Sequence, residues 1–166
     1  ILNFKIAFVL LKYEVSLFNN IRVSLVCMVG QICCSVLAGY ALSRLKFKGS
    51  NIIFILIMMT FIIPPQAVSV SRMLYFANFD ILGLVKLFND GNTISLSGKR
   101  IILYIMSFTG QGINSAIFVF LFRQFFRGVP VELEESAEID GAGVVRTFWS
   151  VMLPNARGVM VTVALF

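Results

Sequence analysis

The chain has 166 residues, of which 58% are hydrophobic and 13% charged, with a mean hydropathy of +0.91 and a formal net charge of +6. That length suits one soluble domain but the composition does not, and it points to lipid as the solvent. The basic residues stand in small groups at the ends of apolar stretches, where they meet anionic headgroups, so the charge argues for membrane orientation and against a nucleic-acid partner.

Catalysis loses much of its toolkit at the outset, because the sequence contains no histidine, the commonest general base and metal ligand. Cys27, Cys33 and Cys34 share one apolar stretch with no C-x-x-C pair, and are read as packing residues rather than as a disulfide or metal framework. The chain opens on Ile1 and stops at Phe166 inside an apolar run, which leads to the expectation of a fragment. Phe4 to Leu11 is too short to span a bilayer and lacks a small-residue cleavage site, so it is not read as a signal peptide.

The first span is expected over about 18–43, because no charge falls between Arg22 and Arg44 and Val23 to Ser43 approximates the ~20 residues that cross a hydrocarbon core. Its small residues Gly30, Ser35, Ala38, Gly39 and Ala41 favour close helix approach. Arg44, Lys46 and Lys48 then crowd a short loop, which places 44–50 in the cytoplasm. A second uncharged stretch, about 51–71, carries Pro64-Pro65, which kinks or ends the helix near Ile63. Such a break marks either a transport site or a helix leaving the membrane, and the second reading is preferred.

Residues 72–100 read as an external loop with a polar turn at 89–92. Its Gly91 to Arg100 stretch fails as a phosphate-binding loop, since six residues separate the glycines and no Ser or Thr follows Lys99. A third span is expected over 101–122, again uncharged, with Gly110, Gln111, Gly112, Asn114 and Ser115 near its middle. For Gln111 and Asn114 two readings stand: hydrogen bonds to a solute, or interhelical hydrogen bonds, with the second favoured. Arg123 and Arg127 place the end of this span inside, so 123–156 is cytoplasmic and a further span starts at about 157.

Within that segment, Pro130 and the carboxylates of Glu132, Glu134 and Glu135 form a helix start, since proline suits the first turn and acids suit the positive end of the dipole. Asp140-Gly141 is a stop. A second helix is expected from about Ala142 to Leu153, before Pro154. Val144, Val145, Phe148, Trp149 and Met152 share one face of it, opposite Arg146, Thr147 and Ser150. This amphipathic hairpin is suited either to lipid headgroups or to the groove of a cytoplasmic partner.

Glu135-Ser136-Ala137, then Gly141, then Val151-Met152-Leu153-Pro154 resembles the EAA loop of binding-protein-dependent ABC importer permeases. Phe122 to Phe126, Ile139 to Ala142 and Gly39 to Gly49 are similar to the carbohydrate-uptake branch, the maltose and glycerol-phosphate type. The similarity runs from about Phe18 to Phe166, with Ser136 and Val151 replacing the usual alanine and isoleucine, and with Asn89 to Arg100 longer than the typical loop. The resemblance implies an all-α, polytopic transmembrane helical bundle in a bacterial or archaeal plasma membrane. It also implies two cytoplasmic ATP-binding subunits, a second permease subunit, an extracytoplasmic solute-binding protein and a small polar solute, with no cofactor on this chain because ATP sits on the partner. The coupling residues it implies are Glu135, Ser136, Ala137, Asp140, Gly141, Ala142, Phe148, Trp149, Leu153 and Pro154. The rivals differ in need, a membrane-embedded enzyme requiring a cluster of ionisable groups within or at the edge of the spans and an ion-coupled carrier acidic residues at midmembrane, and the expected spans hold neither.

Overall fold

A stretch of 32 residues without proline lets one helix, α1, run unbroken from Tyr13 to Arg44 in the computed structural model, which describes residues 12–45, 47–80, 94–112 and 114–166. The other helices are α2 (Ser50–Ile62), α3 (Pro65–Ala77), α4 (Ile101–Phe108), α5 (Ser115–Gly128), α6 (Glu132–Ile139), α7 (Val144–Asn155) and α8 (Arg157–Leu165). The architecture is all-helical among the described residues, with one isolated antiparallel bridge between Phe79 and Ile94. The expectations for Phe4 to Leu11, Lys46 and the turn at 89–92 lie outside the described residues.

At 1.5 Å per residue α1 is about 48 Å long, more than a ~30 Å hydrocarbon core requires. It is the one described helix long and apolar enough to cross a membrane alone, and two bent pairs, α2 with α3 and α7 with α8, pass the same test together. Gln31, Ser35, Gly39 and Leu42 fall on its buried face, which packs along α4 and α5. A Cβ on Gly39 would sit 2.5 Å from Phe122 Cβ and 3.0 Å from the Arg123 backbone nitrogen, and one on Gly30 would sit 2.7 Å from the Phe108 ring. The glycines are where the helices touch.

The second apolar stretch is broken where the prolines predict. α2 stops at Ile62, Pro64 is extended with ψ 136°, and α3 leaves at 99° to α2. Because α3 continues to Ala77, the first part of the expected external loop is helical.

The third stretch departs from expectation, since a continuous helix over 101–122 does not form. α4 ends at Phe108 and α5 begins at Ser115, with Gly110 at φ 72° and Asn114 at φ 61° between them. Left-handed backbone at two positions cannot continue a right-handed helix.

The core lies where α1, α5 and α7 converge. Phe122, Phe126, Met152 and Ala156 are fully buried there, with Val36, Tyr40, Phe148 and Val163 around them. Tyr40 meets Phe126 edge-on at 5.6 Å and Phe148 at 4.9 Å between ring centroids.

Candidate functional site

The hairpin of α6 and α7 is built from its turn outward. Ala142 N donates to Ala137 O and Gly141 N to Glu138 O, each at 2.9 Å, and Gly141 takes φ 79°. This pair of bonds closing on a left-handed residue is the Schellman arrangement, and the φ is the reason for glycine. A Cβ on Gly141 would meet nothing within 4 Å, so the turn is open on its outer side.

At the other end of α6, the Glu134 and Glu135 amides donate to Val131 O at 2.9 and 3.0 Å, and three glutamates occupy the first turn. Two of them diverge. Glu135 is exposed, whereas Glu134 pairs at 3.3 Å with Arg44 Nε at the end of α1. Arg44 also donates from its terminal nitrogen to the Val129 carbonyl. A residue expected to orient the membrane loop therefore holds the hairpin as well.

α7 corrects the expected pattern twice. It does not stop before Pro154 but runs to Asn155, because Phe148–Met152 form a π turn in which Leu153 N donates to Phe148 O. The apolar face divides into two stripes. Phe148 and Met152 are buried at 5% and 0% exposure, while Val145 and Trp149 remain 71% and 62% exposed. Of the two expected aromatic anchors, Trp149 faces outward and Phe148 faces the core.

Among the remaining implied residues, Ser136, Asp140 and Pro154 are exposed, Ala142 and Leu153 are partly buried, and Ala137 is buried. Glu135, Ile139, Asp140, Gly141, Val145 and Trp149 are among the exposed residues of the hairpin, with Ile139 86% exposed.

Arg123, buried on α5, ties that helix to α1 and α2. Its Nε donates to Leu42 O at 3.3 Å, its terminal nitrogen donates to Asn51 Oδ1 at 3.0 Å, and its guanidinium lies 3.8 Å from the Phe54 ring centroid. The carbonyl at the end of α1 and the side chain at the start of α2 satisfy a charge that is costly to bury alone.

The break between α4 and α5 adjoins the elbow between α2 and α3, and the two enclose a cavity of about 460 Å³. Gln111 and Asn114 are exposed and line it, beside Thr60, Pro65 and Arg72. The interhelical hydrogen bond expected of them is made instead by Gln31, whose Nε2 donates to Ser115 Oγ at 2.8 Å. Ser115 Oγ donates onward to Gly112 O at 2.8 Å, and a Cβ on Gly112 would come 2.2 Å from Gln31 Oε1. Nothing adjacent in the sequence marks Gln31 for this role. Among the described residues no three His, Cys, Asp or Glu side chains converge to hold a metal ion.

Residues 31–166 match the family model described as the binding-protein-dependent transport system inner membrane component. The chain belongs to this family. It is 34% identical over 145 residues to the sn-glycerol-3-phosphate transport system permease protein UgpE of Yersinia enterocolitica, covering 87% of this chain and 44% of that protein. It is also 32% identical over 167 aligned positions to the maltodextrin transport system permease protein MalD of Streptococcus pneumoniae, covering 99% and 52%. With the galactooligosaccharides transport system permease protein GanQ of Bacillus subtilis it shares 28% identity over 155 residues, covering 93% and 48%. The chain spans about half the length of the curated relatives it matches.

The resemblance drawn from the EAA-like residues and the Gly39 to Gly49 string is borne out by these matches, down to the maltose and glycerol-phosphate branch. The family is an inner-membrane one, in keeping with the lipid-suited composition. Within this family's fold, the chain carries two features at opposite ends of α5: the exposed hairpin and the polar cavity.

Proposed function

We propose that this protein is the transmembrane permease subunit of an ATP-driven importer for sugars or related polar solutes. The observation that carries the reading is the hairpin, whose Gly141 turn and Trp149 stand exposed while Phe148 anchors it to the core. A rigidly based protrusion with an open apolar tip suits insertion into a groove of a cytoplasmic ATP-binding subunit. Two such subunits, closing on ATP and parting after hydrolysis, would rock the membrane helices of this chain and of a second permease subunit between outward and inward access. An extracytoplasmic binding protein would deliver solute, and the phosphate chemistry would belong to the partner.

Named relatives that carry glycerol phosphate, maltodextrin and galactooligosaccharides support a small hydroxylated solute. The test is to purify the full-length protein from its native membrane in mild detergent, as wild type and as Gly141→Pro, and to identify its companions by mass spectrometry. Proline fixes φ near −65°, incompatible with the 79° of this turn. An ATP-binding subunit kept by the wild type and lost from the variant is expected. A wild type that brings no ATPase would instead favour a hairpin resting on lipid headgroups.

A further inference from the structure

The cavity between the α2–α3 elbow and the α4–α5 break carries a charge that the interior hydrogen bonds leave unused. Arg72, half-buried on α3, lines it together with Gln111 and Asn114, and no acidic side chain is among the described lining residues. Arg72 also borders a second cavity, of about 620 Å³, which adjoins Gln31 and likewise has no acidic side chain among its described lining residues. Among the described residues Arg72 forms no ion pair. By contrast Arg44 and Arg123 are both tied to protein groups.

We propose that this cavity is a binding site for an anionic group, a phosphate or carboxylate on a small solute, with Arg72 as its charge partner and the Gln111 and Asn114 amides as hydrogen-bond donors. The proposal rests on the reading of the protein as a solute permease and narrows its solute class. A guanidinium matches the two oxygens of a carboxylate or phosphate in a fork that neutral sugars cannot satisfy. The first turns of α3 and α5, at Pro65 and Ser115, also border the cavity, and helix N-termini add potential of the same sign. Polar backbone in a broken helix is tolerated at membrane depth where it lines such a space.

The site can be tested before its solute is identified. Full-length protein lacking its native cysteines and carrying Thr60→Cys, at a lining position given no part in binding, is placed in zwitterionic nanodiscs. Its labelling rates are then compared for an anionic sulfonate and a cationic ammonium thiol reagent. The anionic-to-cationic rate ratio should fall about five-fold in Arg72→Gln and persist in Arg72→Lys. Millimolar inorganic phosphate should slow labelling when Arg72 is present and not when it is replaced. A ratio indifferent to Arg72→Gln, or an introduced thiol at this position that no reagent reaches in folded protein, overturns the site. Protection by phosphatidylglycerol nanodiscs and not by free phosphate would assign the cavity to a lipid headgroup and overturn the solute site. None of these readouts involves the ATP-binding subunit, so failure here is separable from failure of the importer reading, which co-purification tests.

Discussion

Gly39 shows at the scale of one residue how a membrane bundle closes without a hydrophobic driving force between its helices. The absence of a side chain brings α1 against Phe122 and the backbone of Arg123, where an added Cβ would lie at 2.5 and 3.0 Å. Arg123 is the residue whose guanidinium reaches back to Leu42 O on the same helix, so separating the helices would also stretch that bond. Gly39→Ala should therefore destabilise by about 1–3 kcal/mol, read as a lowered thermal midpoint of the full-length protein in detergent. Gly158→Ala, where the new Cβ meets nothing within 4 Å, should leave the midpoint unchanged or slightly raised, because alanine is the better helix former. Equal losses at both positions would mean that close approach is not what selects glycine at 39. The spacing of Gly30, Ser35 and Gly39 made this contact face legible in sequence. Gln31 was not legible, because its only distinction is a partner, Ser115, that lies 84 positions away.

At the scale of elements, the hairpin was legible in its ends and not in its facing. Pro130 and three early glutamates marked the start of α6, and Asp140-Gly141 marked its stop. The division of α7 into a buried and an exposed side was not legible, since the two adjacent stripes, Phe148 with Met152 and Val145 with Trp149, are equally apolar in sequence and only the packing decides which meets the core. The same limitation concealed the break between α4 and α5, where an uncharged run reads as one span until Gly110 and Asn114 adopt positive φ. A paired substitution separates the two roles in α7. Phe148→Ala removes a ring packed on Tyr40 and should cost about 3–5 kcal/mol of stability. Trp149→Ala should leave stability within about 0.5 kcal/mol and weaken retention of the ATP-binding subunit roughly 30-fold, as loss of an interface anchor does. Thermal unfolding and quantitative pull-down read the two effects independently, and a Trp149→Ala variant that keeps its ATPase in full would remove that side chain from the interface.

Across the whole molecule, two arginines form a junction beneath the hairpin, one reaching the hairpin itself and one tying the membrane helices to each other. Arg44 extends from the end of α1 to Glu134 on α6 and to the Val129 carbonyl, and Arg123 extends from α5 to Leu42 and to Asn51 at the start of α2. Movement of the hairpin is thus delivered to α1 through Arg44 and passed from α1 to α5 and α2 through Arg123, and α5 begins at the cavity that Gln111 lines. Charged hydrogen bonds at a half-buried junction hold geometry better than apolar contact alone, because each has few alternative partners once the site is dry. Arg44→Met removes both of its attachments while leaving Gly141 and Trp149 untouched at the exposed tip. The variant should accordingly keep its ATP-binding subunit yet transmit less of that subunit's motion. With Thr60→Cys as reporter, the wild-type complex should label at rates differing at least about three-fold between nucleotide-free and vanadate-trapped states, as expected when access alternates by rigid-body rocking. In Arg44→Met that difference should shrink toward unity with the ATPase still bound. A full difference in the variant would show that the hairpin drives the bundle through the Phe148–Tyr40 core contact and not through the arginine junction.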